Sequence, residues 1–137
     1  MNAPPSWVLD TNIVVSGLLN PAGAPGQLFL AVRDGRIRAA WTSSILSEYA
    51  SVLRRPKFRF SQPLVANFIS SFAEAWEIKN TPKLRVTLPD RSDEIFLAAA
   101  LGTTDRVLVT GNIKHFPLES RLEAIVLTPA DAIKRLP

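Results

Sequence analysis

The chain contains no cysteine, which excludes disulfides, zinc–thiolate sites and cysteine nucleophiles and fits a reducing compartment. It holds a single histidine, His115, so any Ser-His-Asp chemistry would have to rest on that one ring. No glycine-rich phosphate loop is present, and no apolar run is long enough to span a bilayer. The opening residues MNAPPS lack a basic region followed by an apolar core. They are therefore not read as a secretory signal, residues 1–5 are expected to form a short frayed arm, and the cytoplasm is the default location.

What is present is an ordinary globular balance, 47% apolar and 20% charged, in 137 residues. That length suits one domain, spanning 1–137, with a true hydrophobic core. The formal net charge of +4 is compatible with a polyanionic partner without requiring one. Its distribution is more informative, because RRPKFRF (54–60) sets four cations around two phenylalanines. Arg54, Arg55 and Lys57, with Lys114 further on, read either as a solvated face or as a track for nucleic-acid phosphates.

Short apolar strands alternate with helical patterns. Strands are expected at 6–9, 37–41, 106–110 and 124–127, with an ambiguous stretch around 77–79. Helices are expected at 11–19, 27–34 (stopped by Gly35), 43–55, 61–76, 93–101 and 129–136. In the 61–76 segment, Leu64, Val65, Phe68, Ile69, Phe72 and Trp76 share a face and read as core. This alternation implies an α/β fold whose sheet is mostly parallel with helices on both faces.

The acids stand out against that frame. Asp10 in WVLDTNIVVSGLL, Glu48 in WTSSILSEYASVLRR and Asp93 in LPDRSDEIFLAAAL all fall near strand-to-helix handovers. In an open α/β sheet the carboxyl ends of strands gather at one edge, where ligands bind. Carboxylates meeting there resist ionising together unless a cation lies among them, and oxygen donors suit Mg²⁺ or Mn²⁺. Each acid also has a plainer reading: Asp10 as a helix cap, Glu48 as an exposed glutamate, and Asp90, Asp93 and Glu94 as favourable charges at a helix start. Among these last three Asp93 is the chosen ligand and Asp90 the reserve. Thr11 and Asn12 can orient Asp10 or hold a metal-bound water. Thr110 and Asn112 in VLVTGNIKHF offer oxygens after the strand, where Gly111 is expected to let the chain turn. His115 reads as structural, or as a phosphate contact beside Lys114.

Taken together these segments resemble the PIN-domain ribonucleases over nearly the whole chain. VLDTNIVVSGLL resembles the family's opening strand with its first Asp. SSILSEYASVLRRPKF resembles the helix with its Glu, and LPDRSDEIFLAAAL followed by VLVTGNIKHF resembles the closing pair of motifs. Within the family the chain is most similar to small stand-alone toxins of toxin–antitoxin pairs, of the VapC kind. The resemblance implies a three-layer α/β/α sandwich with about five strands, and Mg²⁺- or Mn²⁺-dependent cleavage of single-stranded or structured RNA. It assigns the core acidic roles to Asp10, Glu48 and Asp93, implies a homodimer, and suggests a cognate antitoxin that blocks the acidic site. Asn112 falls where many members have a fourth Asp, which lowers the charge of the site and argues against a second tightly bound metal.

Two other readings stay open. One is a non-catalytic or weakly catalytic RNA-binding module, which Asn112 favours. The other is a phosphotransfer enzyme phosphorylated on Asp10, although the second Asp expected two positions on is Asn12 here.

Overall fold

The computed structural model describes residues 3–137. Of the arm expected at 1–5, residues 1 and 2 lie outside the described residues, while the Pro5 carbonyl accepts the Arg38 N–H at 2.8 Å. The elements run β1 (Ser6–Leu9), α1 (Thr11–Leu19), α2 (Ala24–Arg33), β2 (Arg38–Ala39), α3 (Ser43–Leu53), α4 (Gln62–Ser70), α5 (Glu94–Leu101), β3 (Val107–Val109), β4 (Ile125–Leu127) and α6 (Pro129–Lys134), with short 3₁₀ turns between several of them. The sheet order is β2-β1-β3-β4 and every pairing is parallel.

Alternation along the strands sorts their side chains into two cores, as a parallel sheet buried on both faces requires. Trp7, Leu9, Val107, Val109 and Leu127 pack with Ile13 of α1, Leu28 and Ala31 of α2 and Ala132 of α6. Val8, Leu108 and Val126 pack with Ile45, Tyr49 and Leu53 of α3, Val65 of α4, and Phe96 and Leu97 of α5. The result is the three-layer α/β/α sandwich. Among the described residues no single helix is long and apolar enough to cross a membrane.

The sheet has four strands among the described residues, where about five are expected. The ambiguous stretch near 77–79 supplies only one parallel bridge, Glu77 to Trp41. Trp41 is tied there instead through its indole, which donates to the Ala73 carbonyl at 2.8 Å, and through its carbonyl, which accepts from Ile78 at 2.8 Å. The helix expected over 61–76 ends at Ser70 and gives way to a short 3₁₀ turn at Glu74–Trp76. Its stripe is only partly core: Val65 is buried, but Leu64 is 41% exposed. Helix α2 starts three residues earlier than expected, because Pro25 sits in its first turn, where a missing N–H costs nothing. Within that turn Gly26 passes so close to Pro21 that an added Cβ would lie 1.9 Å from its carbonyl oxygen. The same helix ends as expected, with Gly35 at φ +75°. There the Arg36 and Gly35 N–H groups bond back to Ala31 and Val32, satisfying carbonyls the helix leaves free.

Candidate active site

Strand order decides where the site lies. The chain runs outward from β1 to β2 on one side and resumes at β3 on the other, so the β1/β3 boundary is the switch point where α/β sheets open a crevice. β1 ends at Leu9, opposite Val109 of β3. Asp10 leaves one strand end and Thr110 to Asn112 leave the other, close enough that the Asp10 N–H donates to the Val109 carbonyl at 2.9 Å.

Asp10 is 4% exposed and caps α1. Its Oδ1 accepts from the Thr11 N–H at 2.8 Å, and its Oδ2 accepts from the Thr110 hydroxyl at 2.8 Å and the Asn12 amide at 3.0 Å. Capping and site membership therefore coexist in one residue. Asn12 also accepts from the Gly111 N–H at 2.8 Å, which stitches the two strand ends together. The chain bends at Gly111 as expected, though without a positive φ, and a Cβ there would sit a tight 3.1 Å from the Asn12 oxygen.

Glu48 reaches the same crevice from α3. That helix is capped by the Thr42 hydroxyl, which accepts from the Ile45 N–H. It is pinned by the fully buried Tyr49, whose hydroxyl donates to the Leu9 carbonyl at the end of β1. Tyr49 is thus the residue that sets α3, and Glu48 with it, against Asp10. Its place on the apolar face is readable from the sequence, but its bond across forty residues is not.

Asp93 ends a 3₁₀ turn at Arg91–Asp93 that leads into α5. It is buried, and its Oδ2 lies 2.9 Å from His115 Nδ1. Asp90 is exposed and caps that turn, its Oδ1 accepting from the Ser92 N–H at 3.0 Å and the Ser92 hydroxyl at 2.7 Å. Glu94 accepts from the Leu88 N–H and pairs with Arg91, which tethers the preceding loop.

One cleft of about 300 Å³ is lined by Asp10, Thr11, Asn12, Glu48, Asp93, Asn112 and His115. Three acids and two amides, from positions up to 102 residues apart, thus share a single opening. Burial pushes the Asp10 carboxyl up despite its three donors. Burial, and then the charge of Asp10, raise Asp93 to about 6. Thr11 Oγ1 is buried and has no hydrogen-bond partner among the described residues. Two strained carboxylates and an orphaned hydroxyl, all hard oxygen donors, suit a divalent cation. Asp90, Asp93 and His115 can also offer three ligand atoms within 4.8 Å of one another.

The PIN domain family model matches residues 6–114, a span that takes in all three acids and Asn112. The chain belongs to the PIN domain family. PIN domains are generally nucleases, hydrolases acting on RNA or DNA that usually employ a divalent metal. Over 108 residues this PIN domain is 26% identical to the uncharacterized protein MJ1680 of Methanocaldococcus jannaschii, covering 77% of the chain and 69% of that protein.

The expected RNA-contacting residues of this PIN domain divide. Arg55 lines the cleft, as does His115, whereas Arg54, Lys57 and Lys114 are exposed outside it. Asp90 and Thr110 do not line the opening either; Thr110 is fully buried behind Asp10. Phe58 of the RRPKFRF segment also lines the cleft, and walls that sequence reasoning did not single out include Val15, Ser16 and Phe96.

Proposed function

We propose that this PIN domain is a metal-dependent endoribonuclease that hydrolyses RNA phosphodiester bonds, and that it is the toxin of a toxin–antitoxin pair. The observation that carries the reading is the gathering of Asp10, Glu48, Asp93 and Asn112 around one cleft at the sheet's switch point. Arg55 stands at the rim to meet a phosphate.

Asp10 and Asp93 would hold Mg²⁺ or Mn²⁺, with Glu48 and Asn112 completing the oxygen shell. The chemistry such an ion supplies when bound is activation of water and neutralisation of charge on the phosphate. Asp10 keeps one orientation because Thr110, Asn12 and the Thr11 N–H fix both its oxygens. A Glu48 carboxylate oxygen takes the proton of the attacking water. The Thr11 N–H, on Asp10 Oδ1, keeps that carboxylate oriented, and Arg55 neutralises the phosphate.

The cytoplasm is the expected compartment. A cognate antitoxin would present a basic or bulky side chain to the acidic cleft. A homodimer would use apolar faces of α2 and α4, where Leu30 and Leu64 are 45% and 41% exposed.

The test is incubation of the purified protein with a mixed pool of structured and unstructured RNA in Mg²⁺, Mn²⁺ or EDTA. Cutting that needs metal and disappears in Asp10→Asn and Asp93→Asn supports the reading. RNA bound but uncut under every metal would favour a binding module instead, which the uncharged Asn112 makes the relevant rival.

A further inference from the structure

A second and larger hollow, of about 980 Å³, opens at the far end of the sheet from the acidic cleft, where the strands begin. Its size suits a small molecule. Arg38 opens β2 in register with Ser6 of β1. The Ser6 N–H donates to Asp105 Oδ2 at 2.7 Å, which draws the turn before β3 to its other side. Neighbouring strands lie about 4.8 Å apart, so Arg38 and Asp105, on either side of Ser6, stand about 10 Å apart. Trp76 lines the groove from the 3₁₀ turn at Glu74–Trp76, and Arg36 lines it from the loop before β2.

The charges of the groove are unevenly satisfied. Glu77 pairs with Lys79 at 2.7 Å, and one oxygen of Asp105 is held by Ser6. Arg36 Nε donates to the Pro137 carbonyl at 2.9 Å. Arg38 is half-buried, yet its guanidinium forms no ion pair among the described residues. A partly desolvated cation is costly without a counter-charge, and the guanidinium fork matches a phosphate. Trp76 is half-buried and packs against the core around Leu28. Among the described residues no ring stacks on its indole and no cation lies over it. The groove therefore combines an anion anchor, an uncovered indole and a carboxylate acceptor.

We infer that this groove binds a nucleoside phosphate, with the phosphate on Arg38 and Arg36, the base on Trp76 and a ribose hydroxyl donating to Asp105. Inorganic phosphate would meet the charge of Asp105 and leave the indole bare, whereas an unphosphorylated nucleoside would leave Arg38 unpaired. Stacking is tolerant of base identity, so the site recognises the class before the base. It shares no lining residue with the acidic cleft and does not depend on the nuclease reading.

The test is titration calorimetry of the full chain in EDTA with AMP, adenosine, inorganic phosphate and a 5′-phosphorylated oligoribonucleotide. AMP is expected to bind more tightly than adenosine or phosphate. Arg38→Gln should weaken AMP binding by about 10- to 150-fold and leave adenosine unchanged. Trp76→Leu should weaken AMP binding by about 5- to 150-fold, and Trp76→Phe should retain it. Because Trp76 also packs on the core, Arg38→Gln decides the matter where the leucine variant fails to fold. Asp10→Asn should bind AMP as wild type does. Tighter binding of the oligoribonucleotide through Arg38 would identify an RNA end as the source of the nucleotide, and weaker binding a free nucleotide. No AMP binding, phosphate bound as tightly as AMP, an Arg38→Gln variant equal to wild type, or AMP binding lost in Asp10→Asn would each overturn the inference. Failure of the nuclease reading looks different: AMP binding that depends on Arg38, with no metal-dependent cutting of RNA.

Discussion

Without a cation the acidic cleft should weaken the fold that builds it, and Asp93→Asn tests this from both sides. Asp93 is raised from 3.8 to about 6 by burial and by the charge of Asp10. Such a rise is worth about 3 kcal/mol between the two protonation states, and water at the open mouth of the cleft reduces it to about half that. Between pH 3.8 and about 6 the folded chain holds a proton that the unfolded chain has released. Stability is therefore greatest below this window, is lost as pH rises through it, and is flat above. Asparagine keeps the shape but cannot ionise. In EDTA at pH 8, Asp93→Asn should exceed wild type by about 1–2 kcal/mol in urea unfolding, or about 3–5 °C per kcal/mol in melting temperature for a chain of this size. Near pH 4 the two should converge. Added Mn²⁺ at about a hundred times its Kd should then stabilise wild type by about 2.7 kcal/mol and leave the variant nearly unmoved. A variant less stable than wild type at pH 8, or stability curves that stay parallel from pH 4 to 8, would refute the idea that burying Asp93 beside the charge of Asp10 strains this site.

Glu48→Gln should lower single-turnover RNA cleavage by about 10²- to 10⁴-fold while leaving RNA affinity in EDTA unchanged, since it removes a proton acceptor and little else; equal cleavage rates would remove Glu48 from the chemistry. Tyr49→Phe leaves the Leu9 carbonyl without its hydroxyl donor and should cost about 1–3 kcal/mol in urea unfolding, with a value near zero arguing that α3 is placed by packing alone. Asn112→Asp adds a carboxylate to the cleft and should tighten Mn²⁺ binding by titration calorimetry; weaker or unchanged binding would place Asn112 outside the metal's reach.

Much of this architecture was legible because it is local. The runs at 6–9, 106–110 and 124–127 are short and apolar between turn signals, and each holds a parallel strand, at 6–9, 107–109 and 125–127. Thr42 and Thr128 cap the helices that follow them. The expectations that failed depended on distant contacts. Residues 61–76 carry a helical pattern, yet the chain breaks after Ser70 because the Ala73 carbonyl accepts the Trp41 indole N–H and the Trp76 carbonyl faces the Trp41 N–H. The stretch at 77–79 lacks the length to become a strand once only Glu77 pairs. Among Asp90, Asp93 and Glu94, local sequence put Asp93 first and Asp90 in reserve, but any of the three could equally be a favourable charge at a helix start. Tertiary contacts separated them: Ser92 engages Asp90, the Leu88 N–H engages Glu94, and Asp93 faces the cleft.

By itself the sequence determined the alternation of strand and helix, the burial of the sheet on both faces, and the placing of acids where strands hand over to helices. Periodicity and capping are properties of neighbouring residues and need no fold to be read. Only the tertiary structure decided that Asp10, Glu48, Asp93 and Asn112 share one opening, that Tyr49 reaches across to Leu9, and that Phe58 rather than Phe60 lines the cleft. Those outcomes follow from the strand order β2-β1-β3-β4, which is set by contacts between segments up to a hundred residues apart.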